Sequence, residues 1–499
     1  MSFTSRTPVN HNADQVTYRR GFVTRHQVTG WRFLMRRIAS GVALHDTRML
    51  TDPLRTQSRS VVMGVLIVVT GLIGCFVFSL IKPGGSVGNN AVLADRDTAA
   101  LYVRVDDRLH PVLNLTSARL IAGHPVTPTS VGSAALDKLA RGATVGIPGA
   151  PERMVQNSSG DADWTVCDSA ASKNPGVTVI GGRVAGGGVR ASALPSDKAV
   201  LVVAGTPDAP TTWLLWEGRR SRVDLADHAA TDALGLGTTI PAPTQIAPGL
   251  FNSIPEGAPL VAPVIPGSGA PPQFAMSVPA PVGAVVAGFG PDGTLAYYAV
   301  LPDGLQSVSP VVADLLRNTN SYGLQQPPRL GADEISRLPV SRMIDTAAFP
   351  AKSVGLVDPV AAPVVCSQWS KAAGASASSL VLLSGAALPI AEGEQPVDLP
   401  GNGTSAARVV LPVGKGYFAQ TVGQESASPP AGSLFWLSDA GMRYGIEAAN
   451  SDELTQTLTA LGLTSPATPI PWSVLTLFAA GPPLSKAGAL AVFVGTENR

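Results

Sequence analysis

One stretch of the chain, Val61–Ile81, restricts its architecture more than any other. It reads VVMGVLIVVTGLIGCFVFSLI and contains no charged side chain. A helix rises about 1.5 Å per residue, so this run is long enough to cross the roughly 30 Å hydrocarbon core of a bilayer. The sequence therefore predicts a single transmembrane helix, with a different environment on each of its two sides.

Two other interpretations of this stretch are weaker. A signal peptide begins near the N-terminus and ends at a small-residue cleavage site. Here the apolar run begins only at Val61, and Lys82-Pro83 follows it directly. A buried core helix is the second alternative, but an uncharged run of this length is typical of a membrane span.

Charge is distributed unevenly around the span. Residues 1–60 contain ten arginines and three aspartates, a net charge of +7, whereas the whole chain carries only +1, which leaves −6 for the rest. Basic residues are enriched on the cytoplasmic side of membrane helices. We therefore expect residues 1–60 in the cytoplasm and residues 82–499 outside it, on a single-pass membrane protein.

A basic amphipathic helix is predicted before the span, from Thr29 to about His45. Its apolar residues recur at helical spacing, and arginines lie around the same helix. Two interpretations stay open, namely that it lies on the anionic inner leaflet or that it docks on a partner protein. Packing on a domain of its own is weaker, because so short an arm offers little else to cover it. The predicted contact residues are Trp31, Arg32, Leu34, Arg36, Arg37 and Ile38.

Cysteine positions fit this orientation. Cys75 lies inside the span, and Cys167 and Cys366 are the two that lie outside it. Two cysteines in an oxidising compartment are readily interpreted as one disulfide. Such a bridge would close a loop of about 200 residues and stabilise the fold by about 5 kcal/mol in the chain-entropy model. Two unpaired buried thiols are the alternative.

The region after the span predicts an α+β fold with short elements. Its many glycines and prolines, 52 and 43 in the whole chain, favour turns over long helices. An aromatic strand, a polar turn, a second strand and a helix recur four times, which indicates an elongated periplasmic region of four β-β-α-type repeats. Chance resemblance among β-hairpins is the alternative. The aromatic anchors of the four copies are Tyr102, Trp216, Tyr298 and Trp436.

Each copy is predicted to end with a small apolar helix at a similar distance, about 40 residues, after its anchor. The four helices are Leu136–Leu139, Leu250–Ile254, Ile335–Leu338 and Val474–Phe478.

Spacing between the anchors indicates a further domain. The first and third gaps between anchors are longer than the second, and Cys167 and Cys366 fall in these two longer gaps. Both gaps therefore predict extra β segments that pair into one central, β-rich, disulfide-bonded domain. The expected organisation is a basic arm (1–60), the span (61–81), repeat 1 (82–155), the first part of the central domain (156–205), repeat 2 (206–280), repeat 3 (281–354), the second part of the central domain (355–412) and repeat 4 (413–499).

Motifs for catalysis are weak. The phosphate-binding pattern G-x-x-x-x-G-K-[ST] is absent, and Gly414-Lys415 lacks the rest of that loop. Gly288–Gly293 matches G-x-G-x-x-G, but Pro291-Asp292-Gly293 predicts a hairpin turn rather than the helix a dinucleotide site needs. Gly84–Gly88 matches the nucleophile pattern G-x-S-x-G in a linker without a supporting sheet. No catalytic, cofactor-binding or metal-ligating residue is predicted, and nothing favours nucleic-acid binding.

Several motifs together resemble a known family. They begin with Thr29–Arg37 (TGWRFLMRR) ahead of a single span and continue through Asn114–Leu120 (NLTSARL) and Val145–Pro151 (VGIPGAP). Further motifs of the set are Ala94–Asp97, Leu101–Val103, Trp164-x-x-Cys167-Asp168, Cys366, Ala440–Gly445 (AGMRYG) and Gly481–Ser485 (GPPLS). The chain resembles the EccB component of the type VII (ESX) secretion systems of mycobacteria, over nearly its whole length.

This resemblance implies a structural subunit of the ESX inner-membrane complex that extends into the periplasm. The implied partners are an EccC-like motor ATPase, EccD and EccE, together with a second copy through the periplasmic region. The repeats are similar to a phage-lysin cell-wall-binding module, which implies peptidoglycan contact. Relatives have been labelled ATPases, so an ATP-hydrolysing component without a P-loop, or a membrane-anchored cell-wall-binding protein, is the alternative function. ATP enters only through that label.

Overall fold

The computed structural model describes residues 24–45, 53–80, 87–169, 175–206, 208–290, 293–400 and 405–493. The chain divides into two compact units, residues 1–84 and residues 85–499. The described part of the first unit is helical and that of the second combines sheets with short helices, so the fold is mixed α+β as expected.

Helix α1, Arg25–Leu44, is the first described element. It begins four residues before the predicted start, because Thr24 and Gln27 form a capping box: the Gln27 N–H donates to the Thr24 hydroxyl, and the Thr24 N–H donates to the Gln27 side chain. The helix contains no buried residue. Nothing described in the unit therefore supplies α1 with a core.

Helix α2, Pro53–Leu80, contains the predicted span. Proline suits the first position of a helix, because the backbone N–H that proline lacks would have no intrahelical acceptor there. Within α2, Gln57–Phe78 is long and apolar enough to cross a membrane, and it is the one such helix among the described residues. Ile81, at the end of the predicted span, lies outside the described residues, as do 82–86 with most of the G-x-S-x-G motif.

The second unit opens with a part that we call subdomain 1, residues 92–154. Its strand order is β3-β2-β1-β4, with β4 parallel to β1 and the other pairs antiparallel. Asp106 and Asp107 join β2 to β3, both with positive φ, as a type I′ hairpin turn requires. The elements are β1 Val92–Asp95, β2 Leu101–Val105, β3 Arg108–Pro111, α3 Leu115–Ala122, β4 Thr129–Val131 and α4 Ser133–Leu136.

Three strands of a central sheet come next, followed by subdomain 2, residues 198–257. Subdomain 2 has the order β10-β9-β8-β11, again with the last strand parallel to the first. The central strands are β5 Ala162–Asp168, β6 Val177–Gly181 and β7 Ser192–Ala193. Subdomain 2 contains β8 Lys198–Thr206, β9 Ala209–Trp216, β10 Arg219–Arg222, α5 His228–Ala233, β11 Thr244–Gln245 and α6 Pro248–Ser253.

Subdomain 3, residues 285–341, repeats this order with three strands. A parallel bridge from Ala287 to Arg329 stands where the fourth strand lies in the other subdomains. Its elements are β12 Val285–Phe289, β13 Leu295–Leu301, β14 Gly304–Val308, α7 Pro310–Thr319 and α8 Ala332–Ile335. The chain then supplies β15 Gly355–Leu356, β16 Val364–Lys371, β17 Ser379–Gly385, β18 Val397–Asp398 and β19 Arg408–Val410.

Subdomain 4, residues 417–493, ends the described chain. Its sheet has the order β23-β20-β21-β22-β24, with β23 parallel to β20. The elements are β20 Tyr417–Val422, β21 Leu434–Leu437, β22 Met442–Gly445, α9 Ser451–Leu461, β23 Thr468–Pro471, α10 Trp472–Leu475, β24 Ala479–Ala480 and α11 Lys486–Leu490.

The helix that follows the hairpin of every subdomain starts in the same way. A polar side chain at the N-cap accepts a hydrogen bond from a backbone N–H in the first turn, which satisfies a donor that the helix itself cannot pair. The four N-cap residues are Asn114, Asp227, Ser309 and Asn450.

The central sheet has the order β18-β19-β6-β5-β16-β17-β7. Strands β5 and β6 in the middle of the sheet are buried along nearly their whole length, since the sheet is covered on both faces. One face joins a large core with residues of subdomains 2 and 4, and the other holds a smaller cluster around the two cysteines. The sheet thus connects parts of the chain that are far apart in sequence.

Subdomains associate in two pairs. Subdomain 2 packs on subdomain 3 through α5 and α7, and the two share one apolar core. Subdomain 1 packs on subdomain 4 through α3, α9 and α11, around a second core that contains Leu120, Trp436 and Leu484. The first and last subdomains are therefore in direct contact.

Three sequence-based expectations need correction. Each subdomain has a third antiparallel strand ahead of the aromatic hairpin, which pairs with the free edge of the aromatic strand. β8 belongs to subdomain 2 and not to the central domain, since it pairs along its length with β9, which moves the boundary predicted at 205/206 upstream. The helices predicted at Leu136 and Ile335 end at those residues instead of beginning there.

Candidate functional site

The central sheet carries the predicted disulfide. Cys167 on β5 and Cys366 on β16 are directly opposite each other in the antiparallel pairing, with 4.0 Å between their Cα atoms. Both residues are fully buried, and they are bonded to each other. The pairing predicted from the sequence is confirmed, and it ties together strands 199 positions apart.

A tryptophan pair lies on the same two strands. Trp164 is opposite Trp369 in the β5–β16 register, and both are buried. The Trp164 indole Nε1 donates to the Pro469 carbonyl at 2.9 Å, which links the central sheet to subdomain 4. The ring also packs against Tyr417, with 4.9 Å between centroids. Burial raises the pKa of the Tyr417 hydroxyl, so this side chain is a packing group and a poor acid.

Subdomain 1 is joined to subdomain 4 by backbone as well as by core packing. The Gly146 N–H donates to the Ala491 carbonyl at 3.3 Å, and the Phe493 N–H donates to the Thr144 carbonyl at 2.9 Å. We call the segment after β24 the clasp, because it holds the last subdomain on the first.

A side chain adds to this connection. Gln156, just after subdomain 1, makes three hydrogen bonds to Thr464: its Nε2 donates to the Thr464 carbonyl, and its Oε1 accepts from the Thr464 N–H and hydroxyl. Side-chain hydrogen bonds thus add to the backbone hydrogen bonds that link the two ends of the second unit.

Sequence reasoning missed the clasp. Ser485 accepts a hydrogen bond from the Gly488 N–H and so caps α11, a local signal that was available in the sequence. The long-range contacts of α11 with α3 had no such signal, because they join residues from opposite ends of the second unit.

An open cleft at the end of the central sheet holds an acidic pair. Asp161 accepts from the Ala373 N–H and from Arg183, each at 3.1 Å, and these bonds lower the pKa of Asp161. Burial, and then the charge of Asp161, raise the pKa of Asp163. The pair resembles two general acid–base carboxylates, but no histidine or cysteine lines the cleft, whose remaining walls are serine and alanine.

Metal binding has no geometric support in the part of the chain that the structure covers. No three His, Cys, Asp or Glu side chains lie close enough there to hold an ion.

Both nucleotide-like patterns fall in β structure. Gly288 lies near the end of β12, and the Gly290 N–H donates to the Thr294 carbonyl just before β13. Strands β12 and β13 pair as an antiparallel hairpin, as predicted. Pro291 and Asp292 lie outside the described residues. Gly414–Gly416 leads directly into β20. Neither glycine pattern opens a helix, which a phosphate-binding loop requires.

All six predicted contact residues of the N-terminal arm lie on α1, and all are exposed. Trp31, Leu34 and Ile38 expose 65%, 54% and 52% of their surface. At about 100° of rotation per residue these three share one side of the helix. The arginines lie outside this side, so α1 presents an uncovered apolar stripe with basic edges.

A family model described as "Type VII secretion system ESX-1, transport TM domain B" matches residues 20–495. This chain belongs to that family, EccB. The match runs through α1, α2 and all four subdomains, so the resemblance seen in the sequence motifs is confirmed over the whole architecture.

Relatives in two ESX systems cover nearly the full chain. The ESX-3 secretion system ATPase EccB3 of Mycolicibacterium smegmatis is 61% identical over 491 residues, 98% of this chain and 94% of the relative. The ESX-5 secretion system ATPase EccB5 of Mycobacterium marinum is 36% identical over 489 residues, 95% of this chain and 94% of the relative. Similarity to the EccB3 relative is therefore considerably higher.

Solved structures of EccB proteins share the fold. An EccB3 dimer from the ESX-3 core complex has a TM-score of 0.73 at 54% identity, covering 81% of this chain and 100% of that chain. A chain of the intact ESX-5 inner membrane complex has a TM-score of 0.74 at 34% identity, covering 97% and 98%. Both of these relatives were solved as parts of larger assemblies.

Proposed function

We propose that this EccB protein is a structural subunit of an ESX inner-membrane secretion complex, which it anchors and extends into the periplasm for protein export. The single observation that carries the proposal is the family match from before α1 to the end of subdomain 4. One helix that is long enough to span a membrane cannot enclose a protein-conducting pore. Any pore must therefore be built with other chains, and this subunit acts as a scaffold.

The proposed topology has α1 in the cytoplasm and subdomains 1 to 4 in the periplasm. Two independent features support it. The net charge of +7 in residues 1–60 follows the positive-inside rule. The Cys167–Cys366 disulfide requires an oxidising compartment, which the periplasm provides and the bacterial cytoplasm does not.

The proposed partners are an EccC-like motor ATPase, EccD, EccE and a second copy of this chain. The solved EccB3 dimer and the ESX-5 inner membrane complex support this assignment by family membership. Peptidoglycan is a further proposed contact of the periplasmic unit. On the cytoplasmic side, the proposed contacts are the α1 residues Trp31, Arg32, Leu34, Arg36, Arg37 and Ile38.

We also propose that subdomains 1 to 4 are repeats of one ancestral unit. Each runs through three antiparallel strands, a capped helix, a chain segment parallel to the first strand and a short helix. The shared N-cap position supports common origin over chance similarity among hairpins. A scaffold made of such units would keep its shape because each subdomain buries its hydrophobic face against another.

Hydrolysis of ATP is the second candidate, because the names of the relatives include the word ATPase. Neither glycine pattern of this chain has phosphate-binding geometry, so the scaffold proposal is the stronger one. An ATPase assay on the purified chain separates the two. Activity that persists in constant proportion to the protein through successive columns would support an enzyme, and activity that fractionates away would identify a contaminant.

Purification from the native cells in mild detergent tests the scaffold proposal. The tagged chain should elute as a large complex that contains an EccC-like ATPase, whereas an unrelated single-span protein with the same tag should not. A monodisperse monomer, together with normal secretion after deletion of the gene, would refute the proposal.

A further inference from the structure

Helix α1 has an uncovered apolar face whose boundaries are unusually clear. Six apolar side chains fall within about 120° of arc at about 100° per residue. They are at least 39% exposed, and no described residue packs over them. The six are Val28, Trp31, Leu34, Met35, Ile38 and Val42, which we call the α1 stripe.

Arginines border the α1 stripe on both edges. Arg25, Arg32 and Arg36 fall within about 40° of one another beside Val28, and Arg37 lies beyond the opposite edge. The sequence from Arg25 to Leu44 contains no aspartate or glutamate. The positive charges of α1 are therefore left without a neutralising carboxylate in the helix itself.

An isolated helix of this composition is marginal in water. Glycine costs about 1 kcal/mol at an interior helix position, and α1 has two, Gly30 and Gly41. Helices shorter than about 15 residues barely form alone, and the two glycines offset much of what the greater length of α1 gains over that limit. The α1 helix therefore needs a surface that covers its stripe, and that surface supplies most of its stability.

We propose that the α1 stripe inserts into the headgroup–acyl boundary of an anionic lipid leaflet. A tryptophan-containing stripe between two basic edges suits that boundary, where the aromatic and aliphatic groups enter the acyl region and the arginines reach lipid phosphates. A protein groove would have to supply carboxylates on both sides of the stripe. The lipid surface supplies negative charge along the whole helix.

Chain length puts α1 within reach of this surface. His45 ends the helix and Pro53 begins α2, eight positions later. A connection of this length spans at most about 28 Å, so the C-terminal end of α1 stays close to the start of the span at Gln57. This inference rests on the proposed topology, which puts α1 on the cytoplasmic side.

Depth measurement by spin labelling tests the proposal in the full chain. A Cys75→Ser background removes the exposed free thiol, and the buried disulfide does not react. A nitroxide is attached at Ile38→Cys on the stripe or, as the matched control, at Ser40→Cys about 160° away. The protein is reconstituted in nanodiscs of phosphatidylcholine, either alone or mixed with the anionic lipid phosphatidylglycerol.

When phosphatidylglycerol is present, the label at position 38 should collide with oxygen and be shielded from a water-soluble nickel complex. The label at position 40 should stay accessible to nickel. Arg25→Gln, Arg32→Gln and Arg36→Gln should each weaken lipid engagement by about five-fold. Equal nickel access at both positions would overturn the proposal. Shielding that develops only after other complex subunits are added would also overturn it, in favour of a protein groove.

The two proposals fail separately. Loss of co-purification with the secretion complex tests the scaffold role, and the nanodisc experiment contains no other subunit. A chain that assembles normally but shows no lipid-dependent shielding would refute the lipid inference alone.

Discussion

The two units of this EccB protein differ in how much of their large apolar side chains they bury. Trp31 on α1 is 65% exposed, whereas Trp164, Trp216 and Trp436 in the second unit are at most 1% exposed. The second unit covers most of its large aromatic side chains with its own strands and helices, although Trp472 is 55% exposed. The described part of the first unit has nothing of its own to cover it, so its stability depends on the surroundings. Four predictions test this contrast, from the largest expected effect to the smallest.

Charging α2 should produce the largest effect. Val65→Arg with Val69→Arg puts two charges in the middle of the span, at a cost of about 5 to 7 kcal/mol for insertion. The chain should leave the membrane fraction in a carbonate-extraction assay. Val65→Leu with Val69→Leu is the control and should stay in the pellet. Retention of the arginine variant would show that α2 is covered by protein rather than by lipid.

Removal of the disulfide comes second and should affect only the second unit. Cys366→Ser frees a loop closed by cysteines 199 positions apart and should destabilise that unit by about 5 kcal/mol, by thermal unfolding followed with circular dichroism. The variant should also lose the mobility shift seen between reducing and non-reducing gels. Cys75→Ser on α2 should change neither readout. A stable Cys366→Ser variant would mean that packing alone holds the central sheet.

Opening the contact between subdomains 1 and 4 should give the third effect. Leu484→Ala removes a fully buried side chain from their shared core, at a cost of about 2 to 5 kcal/mol. Protease cleavage within subdomain 1 should accelerate together with the loss of stability. Leu490→Ala, which alters a partly exposed leucine of the same clasp, should have a much smaller effect. Equal effects would argue against a core between the two subdomains.

The acidic pair should give the smallest effects, of opposite sign. Asp163 has a raised pKa in the folded chain, so its ionised form opposes folding. Asp163→Asn should therefore raise the unfolding temperature slightly at pH 7. This gain should shrink as the pH falls, because Asp163 of the unsubstituted chain then becomes protonated. Asp161 has a lowered pKa, so its contribution is present above the unfolded pKa and lost as the pH falls through the folded pKa. Asp161→Asn should therefore lower the midpoint at pH 7. Changes of the same sign would contradict these assignments.

Local signals in the sequence predicted much of this architecture. The uncharged run predicted the span, and two cysteines in one compartment predicted the disulfide, because each feature is contained in a few residues. The start of α1 at Arg25 was missed, although Thr24 and Gln27 have the spacing of a capping box. That error came from following apolar periodicity alone, since the first turn of α1 is polar.

Long-range pairing was not predictable in the same way. The sequence of β8 predicts a strand but not its partners. Strand β9 follows β8 directly, whereas β15 lies about 150 residues later, and only the folded chain shows that both pair with β8. The association of subdomain 1 with 4 and of 2 with 3 depends on the shapes of complete subdomains. No local pattern encodes which helix meets which.

The clasp from α11 to subdomain 1 has a consequence for export. In the proposed topology subdomain 1 leaves the cytoplasm first and α11 last. Ile147 and Leu120 in subdomain 1 share a core with Leu484 and Ala489, so they stay uncovered until nearly the whole chain has crossed. The first subdomain to arrive is thus the last to be completed. A translocation event that stalls before Ser485 leaves a membrane-tethered chain with apolar surface open to chaperones and proteases, which allows incomplete subunits to be removed before assembly.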